Sequence, residues 1–147
     1  MLPRGKADLS SSASDQPSAS AQGAQQWLAK AQEDLSVARL VSESSLTVRW
    51  AACFHAQQAA EKAIKGLLVA RGIDFPKSHA LDVLAKLLDE PDRIRLDASI
   101  LLELSPWAVA GRYPEDLPEP TPDETRQLID AASLIADSVA ALIGPTS

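Results

Sequence analysis

Apolar residues recur every three or four positions along two long runs of the chain, which is the period of an amphipathic helix. The first run extends from about Ala24 to Ser44. The second extends from about Val48 to Arg71, and small or apolar residues fill about half of its circumference. Gly72 follows the second run, as is common directly after a helix. The pattern predicts two long helices, and the alanines of the second form a smooth strip that another helix can approach closely.

Shorter apolar runs separated by prolines predict two further helices. One extends from about His79 to Leu88, with Ser78 as its N-cap. The next starts near Asp92, which is also a suitable N-cap, and continues through Leu102. Pro106 must kink this helix or open a new turn, because proline has no backbone N–H to donate.

The last predicted helix has a well-defined start in the letters TPDE. Thr121 is the N-cap, Pro122 takes the first helical position and Glu124 takes the third, which completes a capping box. Its apolar stripe continues to Leu142. Five helices with short connections predict an all-α fold, a five-helix up-and-down bundle whose neighbouring helices are antiparallel.

The N-terminal part of the chain differs in composition from the rest. Residues 1–21 are rich in Ser and Ala without periodicity, so we expect a disordered tail before a domain of residues 22–144. The N-terminus has no apolar signal-peptide region, and no apolar run approaches the ~18 residues that a membrane span needs. The single cysteine, Cys53, excludes an intrachain disulfide and lies on the apolar arc of the second helix. A reduced, cytoplasmic setting is expected.

Charge is unevenly distributed along the chain, whose net charge is −6. Residues 49–86 carry six basic and three acidic groups, whereas residues 89–130 carry four basic and eleven acidic groups. A chain with this balance is a poor general binder of nucleic acid, so we expect no DNA partner. The acidic segment 115–124 either contacts a partner or keeps the protein soluble.

Motifs of common catalytic sites are absent from the sequence. It has no glycine-rich phosphate loop, no HExxH and no CxxC, so neither a metal nor a cofactor is predicted. The stretch FHAQQAAEKAIKGLL instead places His55, Gln58, Lys62 and Lys65 on one side of the second helix. That side is either exposed to solvent or a polar interface within the bundle.

Two loops carry candidate ligand-binding groups. His79 lies in the first turn of the predicted third helix, where free backbone N–H groups favour an anion or nucleotide. The alternative is a capping-region residue held by the preceding Phe75–Pro76 loop. In GRYPED, Arg112 is suited to grip a phosphate and Tyr113 to stack on a base, or the loop closes the bundle end through its own acidic residues.

Residues 52–88, ACFHAQQAAEKAIKGLLVARGIDFPKSHALDVLAKLL, resemble the signature of the HEPN domain, whose name abbreviates higher eukaryotes and prokaryotes nucleotide-binding. The resemblance includes the FHAQQAAEKAIK helix, the G-x-x-F-P-K-S-H loop and the AGRYPED element, and it spans about residues 22–143. It implies a five-helix bundle that is often a homodimer. It also implies frequent pairing with a minimal nucleotidyltransferase in bacterial toxin–antitoxin-like modules.

Members of the family that this sequence resembles differ in function. Many members are metal-independent ribonucleases, in which the arginine and histidine of an R-x4-6-H motif polarise the RNA backbone for attack by a ribose 2′-hydroxyl. Others bind nucleotides or protein partners. Arg49 and His55 are the formal match to the motif in this chain, and they project about 120° apart on one helix. The resemblance also implies that Gln57 and Glu61 face the bundle crevice, where a buried Glu61 needs a partner such as Arg112.

The leading interpretation is a non-enzymatic helical module that binds an ATP-like nucleotide, RNA or a nucleotidyltransferase and that dimerises. Its candidate ligand contacts are Lys62, Lys65, Lys77, His79, Arg112 and Tyr113. The alternative is a ribonuclease toxin that uses Arg49 with His55, or Arg112 with His79 across two subunits. A third interpretation is a protein-interaction domain without a small ligand.

Overall fold

The computed structural model describes residues 18–45, 48–108 and 118–145. These residues form six α-helices and one 3-10 turn, and no strand occurs among them. The helices are α1 (Ala19–Glu43), α2 (Arg49–Ala70), α3 (Leu81–Ala85), α4 (Glu90–Arg93), α5 (Ala98–Leu104) and α6 (Pro122–Ile143), with the 3-10 turn at Ser105–Ala108 after α5. The predicted all-α fold is confirmed. The described residues contain six α-helices where five were predicted, because one predicted helix is divided in two.

The long helices α1 and α6 have side-chain caps, and α2 lies close to its predicted bounds. Ser18 caps α1 by accepting a hydrogen bond from the backbone N–H of Ala21, so α1 begins before the predicted Ala24 and includes the end of the segment assigned to the tail. The predicted capping box of α6 is present: Thr121 Oγ1 accepts from the Glu124 N–H, and Glu124 Oε1 accepts from the Thr121 N–H.

The third predicted helix is shorter than expected. Only Leu81–Ala85 is α-helical, and Ala80 occupies the N-cap position. Ser78 does not cap the helix as predicted; its hydroxyl accepts a hydrogen bond from the Ala80 N–H in the segment before the helix. His79 therefore precedes α3 and does not lie in its first turn.

The fourth predicted helix divides into α4 and α5. Its predicted N-cap Asp92 lies inside α4, and the N-cap positions belong to Asp89 and Asp97. Asp97 Oδ1 accepts hydrogen bonds from the N–H and the hydroxyl of Ser99. Pro106 lies in the 3-10 turn that ends this region, so it opens a new turn rather than kinking a continuous helix.

Helix α2 is the centre of the bundle and packs against both α1 and α6. At its start, Arg49 Nε donates to the carbonyl of Pro120 at 2.6 Å, next to the start of α6. At its end, Arg71 Nη2 donates to the carbonyl of Leu142 at 3.2 Å, near the end of α6. Helix α6 therefore runs parallel to α2. Helix α1 runs antiparallel to α2, since Gly23 near the start of α1 lies against Val69 near the end of α2.

An alanine seam lies along the buried side of α2. Its members have no solvent exposure: Ala52, Ala56, Ala59, Ala60 and Ala63. At Gly66 the close approach of α1 is measurable, since an added Cβ would lie 3.0 Å from Trp27 Cβ and 3.2 Å from the Ala24 carbonyl oxygen. Cys53 is also fully buried, as predicted. None of the described helices combines the length and apolar character needed to cross a membrane.

Candidate functional site

The Glu61 cluster, which consists of Glu61, Lys65, His79, Gln57 and Gln58, connects α2 to the segment before α3. Glu61 is only 3% exposed, and its carboxylate has three neighbours. Lys65 Nζ donates to Oε2 at 2.9 Å, while His79 Nδ1 lies 2.9 Å and Gln58 Nε2 3.3 Å from Oε1. The lysine compensates the buried negative charge, as a buried carboxylate requires.

Lys65 is enclosed by aromatic rings in addition to its ion pair. Its Nζ lies 5.8 Å from the ring centroid of Trp27 and 5.7 Å from that of Phe75. The two rings meet edge to face, with centroids 6.2 Å apart. Cation–π attraction at these distances adds to the pairing with Glu61. This part of the polar side of α2 is therefore an interface inside the bundle, one of the two predicted alternatives.

His79 joins the buried cluster to the surface. Its side chain is 68% exposed although Nδ1 contacts the buried Glu61 carboxylate. Gln57, which is fully buried, donates from Nε2 to the His79 carbonyl at 3.0 Å. Because a carboxylate only accepts hydrogen bonds, Nδ1 carries a hydrogen and Nε2 is left for other partners. The buried Glu61 carboxylate therefore fixes Nδ1 of the His79 ring, while Nε2 faces away from the cluster.

A second group, the Asp34 cluster, joins α1 to α2 and also consists of one carboxylate, one histidine and one lysine: Asp34, His55 and Lys62. Asp34 of α1 is 8% exposed. His55 Nδ1 lies 2.8 Å from its Oδ1, and Lys62 Nζ lies 2.6 Å from its Oδ2. Asp34 was not predicted from the sequence. The available signal was a carboxylate directly beside Leu35 in the apolar stripe of α1.

The remaining predicted ligand contacts have different surroundings. Lys77 is exposed and has no ion pair within the three described ranges. Arg112 and Tyr113 lie outside the described residues. The predicted pairing of Glu61 with Arg112 is thus untested, and Glu61 already has Lys65 and His79 as partners.

Arg49 and His55, the formal ribonuclease match, contact different neighbours. Arg49 binds the Pro120 carbonyl beside α6. His55 binds Asp34 of α1. Within one subunit the two side chains therefore face different helices. Across the described part of the chain, no group of three or more His, Cys, Asp or Glu residues is arranged to hold a metal ion.

Comparison with known proteins gives the family. The family described as the HEPN domain matches residues 24–142 of this chain. The chain belongs to the HEPN domain family. No match was found among curated proteins.

Two crystal structures are similar to this HEPN domain over most of their length. TT1696 from Thermus thermophilus is 31% identical with a TM-score of 0.66, and the match covers 79% of this chain and 94% of that one. ST0689, described as an archaeal HEPN homologue, is 30% identical with a TM-score of 0.62, and the match covers 82% of this chain and 98% of that one. Both support the helical fold and the family.

Proposed function

We propose that this HEPN domain is a binding module that recognises the phosphate groups of a nucleotide or a short RNA through His79 and Lys77. The observation that carries the proposal is the exposed imidazole of His79 fixed from inside by the buried Glu61 carboxylate. In its imidazolium form the ring donates Nε2–H outward without losing the contact of Nδ1 with Glu61. Lys77 adds an exposed ammonium two residues away.

The proposed ligand surface is smaller than the sequence alone predicted. Lys62 and Lys65 each donate to a buried carboxylate, so their charge is already compensated inside the protein. We assign them a positioning role, in which Lys65 holds the carboxylate that orients His79. Arg112 and Tyr113 remain candidates from the chemistry of the GRYPED loop, beyond the described residues.

The test is a calorimetric titration of the protein with ATP and with a short single-stranded RNA. In His79→Asn, the asparagine amide replaces Nδ1–H against Glu61, but no group replaces Nε2. We expect binding to weaken at least tenfold while thermal stability stays close to that of the wild type. Lys77→Gln weakens binding less, and Lys30→Gln on the exposed side of α1 is the matched control with unchanged binding. Wild-type protein that binds neither ligand rejects the nucleotide proposal and favours a protein-interaction domain.

A ribonuclease remains the second candidate because of the same histidine. A carboxylate-oriented imidazole is suited to accept the proton of a ribose 2′-hydroxyl. Running the titrated RNA on a gel distinguishes the two functions: intact RNA supports the binding module, whereas cleavage lost in His79→Asn makes the protein an enzyme. Cleavage lost only in His55→Asn would instead favour the pair Arg49 and His55.

The family resemblance supports further proposals about context. We propose a cytoplasmic protein that pairs with a minimal nucleotidyltransferase, within a toxin–antitoxin-like module, through a surface that includes the acidic segment 115–124. Expression of the chain with and without a nucleotidyltransferase encoded beside it tests this. We expect the two proteins to co-purify. Growth arrest that the neighbour relieves supports the toxin–antitoxin arrangement, and a neighbour that neither binds nor affects growth rejects it.

A further inference from the structure

Two aromatic side chains near the start of α2, Trp50 and Phe54, lie outside the hydrophobic core. Trp50 is 38% exposed and Phe54 is half-buried. Neither belongs to the core cluster or to the half-buried apolar residues that pack against it. Within the described ranges, the ring contact of this pair is that of Phe54 with His55, edge to face with centroids 5.4 Å apart. We call Trp50 and Phe54 the aromatic pair.

The aromatic pair shares one face of α2 with the residues that hold His79. This stripe consists of Trp50, Phe54, Gln57 and Glu61, at spacings of four, three and four residues. Such spacings place side chains on the same face of a helix. Gln57 binds the His79 carbonyl, and Glu61 binds its Nδ1. The aromatic pair therefore continues the candidate ligand surface from His79 toward the start of α2.

The charges on this side of α2 are compatible with a phosphate chain. Glu61 is paired with Lys65, and Asp34 is paired with Lys62. Both carboxylates are therefore compensated inside the protein. Lys77 adds an exposed ammonium beside His79. The surface thus has its cationic groups at one end of the stripe and its aromatic rings at the other, as a ligand with phosphates and apolar ring faces requires.

We propose that Phe54 and Trp50 form a stacking site for the unpaired bases of the ligand whose phosphate is bound at His79. Aromatic side chains stack on the faces of all bases, so this contact adds affinity with little preference for sequence. The inference rests on the function proposed for His79 and adds a base-binding subsite to it.

The length of the stripe favours a short single strand over a mononucleotide. Along the helix axis, Phe54 lies ~10 Å and Trp50 ~16 Å from Glu61, which holds the His79 ring. A mononucleotide has one base and can occupy only one of the two rings. In a duplex the base faces are covered by neighbouring bases, so only unpaired bases can stack on protein side chains. The ligand class is therefore a single-stranded oligonucleotide with at least two free bases.

Calorimetric titrations with three ligands separate the contribution of the bases from that of the phosphates. The ligands are inorganic triphosphate, a short single-stranded RNA, and a chain of the same length and charge that lacks the bases. We expect the RNA to bind at least fivefold more tightly than the abasic chain, as stacked bases do. Phe54→Leu and Trp50→Leu keep an apolar side chain without the ring, so each should reduce this advantage and leave triphosphate binding unchanged.

Two further variants make the result specific to the aromatic rings. Trp50→Phe keeps a ring and should keep most of the advantage of the RNA. Leu40→Ala removes an exposed apolar side chain from α1 and should change binding of none of the ligands. Stacking on Trp50 also quenches its indole fluorescence. We expect the RNA to quench the emission of the wild type, and Trp50→Phe to lose this quenching while it still binds.

The possible outcomes distinguish this proposal from the function on which it rests. Equal binding of the RNA and the abasic chain overturns the stacking site and leaves phosphate recognition by His79 intact. RNA binding that depends on the aromatic pair but not on His79 rejects only the function proposed for His79. A protein that binds none of the three ligands rejects both. Leucine variants with altered sedimentation but unchanged RNA binding assign the aromatic pair to a protein contact and overturn the proposal.

Discussion

Glu61 Oε1 and His79 Nδ1 lie 2.9 Å apart, although the Glu61 side chain is 4% exposed and the His79 side chain is 68% exposed. A buried acid thus determines the orientation of a surface base. The same carboxylate holds the ammonium of Lys65 on its other oxygen. Any change to Glu61 therefore acts on the protein interior and on the candidate ligand surface together.

Glu61→Gln is expected to lower the free energy of unfolding by about 2–4 kcal/mol, because it leaves the Lys65 ammonium buried without a counter-charge. Urea denaturation followed by circular dichroism measures this. The matched control is Glu33→Gln, which removes the partner of Lys30 from an exposed i,i+3 pair and should change stability little. Equal stability of the two variants would show that the Glu61 cluster does not depend on ionic pairing.

Gly66→Ala is expected to destabilise the protein by about 1 kcal/mol or more, although alanine favours an isolated helix by a similar amount. The new methyl group would meet the backbone oxygen of Ala24, which cannot move without shifting α1. Gly23→Ala, at the same helix pair, meets only Cγ1 of Val69 and should be tolerated better. Thermal denaturation of both variants measures the difference, and a stabilised Gly66→Ala protein contradicts the close approach.

Cys53 makes stability fall at alkaline pH. Burial raises the pKa of its thiol from 9.0 to about 11, against a smaller opposing effect of the Thr125 hydroxyl. Because the folded pKa is the higher one, the stabilisation is complete below pH 9 and is lost as pH rises toward 11, when only the unfolded thiol ionises.

Cys53→Ala removes this dependence. Between about pH 8.5 and 10.5, we expect the wild type to lose about 1–2 kcal/mol more than the variant in urea denaturation. The same burial predicts that a thiol reagent labels native Cys53 only as fast as the protein unfolds. Parallel stability curves, or rapid labelling of the native protein, would contradict the burial of this thiol.

Arg71 and Asp92 give stability with the opposite pH dependence. The guanidinium donates from Nε at 2.6 Å and from Nη2 at 3.1 Å, which lowers the pKa of the Asp92 carboxyl below its ordinary 3.8. A lowered folded pKa means that the stabilisation is present above pH 3.8 and is lost as pH falls through the lower folded value.

Asp92→Asn is therefore expected to reduce stability at neutral pH by about 0.5–1 kcal/mol, since the pair is partly exposed. The difference from the wild type should shrink as pH falls from about 4 to about 2, when the wild-type carboxyl is protonated as well. Asp82→Asn, which lies in a long exposed pair with Lys86, is the control. A difference that persists unchanged at the acidic end would indicate that packing, not charge, stabilises this contact.

The sequence correctly predicted those helix ends that depend only on residues close together in the chain. Thr121, Pro122 and Glu124 contain everything needed to start α6, because a capping box involves only residues of the first turn. The α3–α5 region was predicted less well. Its short helices are marginal on their own, so their ends depend on packing against α2 and α6 that no local pattern encodes.

The sequence singled out the residues of the Glu61 cluster, but it did not predict which of them contact one another. Periodicity placed Lys65 on the polar side of α2, yet that side is covered by Trp27 of α1 and by Phe75. Whether a polar face meets water or another element depends on residues far away in sequence. Asp34 illustrates this, since only the folded chain brings it to His55 and Lys62.

The alanine seam of α2 accepts smaller side chains more readily than larger ones. Where helices meet through methyl groups with no exposed surface, a change to glycine removes only the methyl group. A change to valine or leucine must instead separate two backbones. Sequence drift along this seam can therefore proceed only toward equal or smaller residues, and a larger core side chain becomes acceptable only after a compensating reduction on the facing helix.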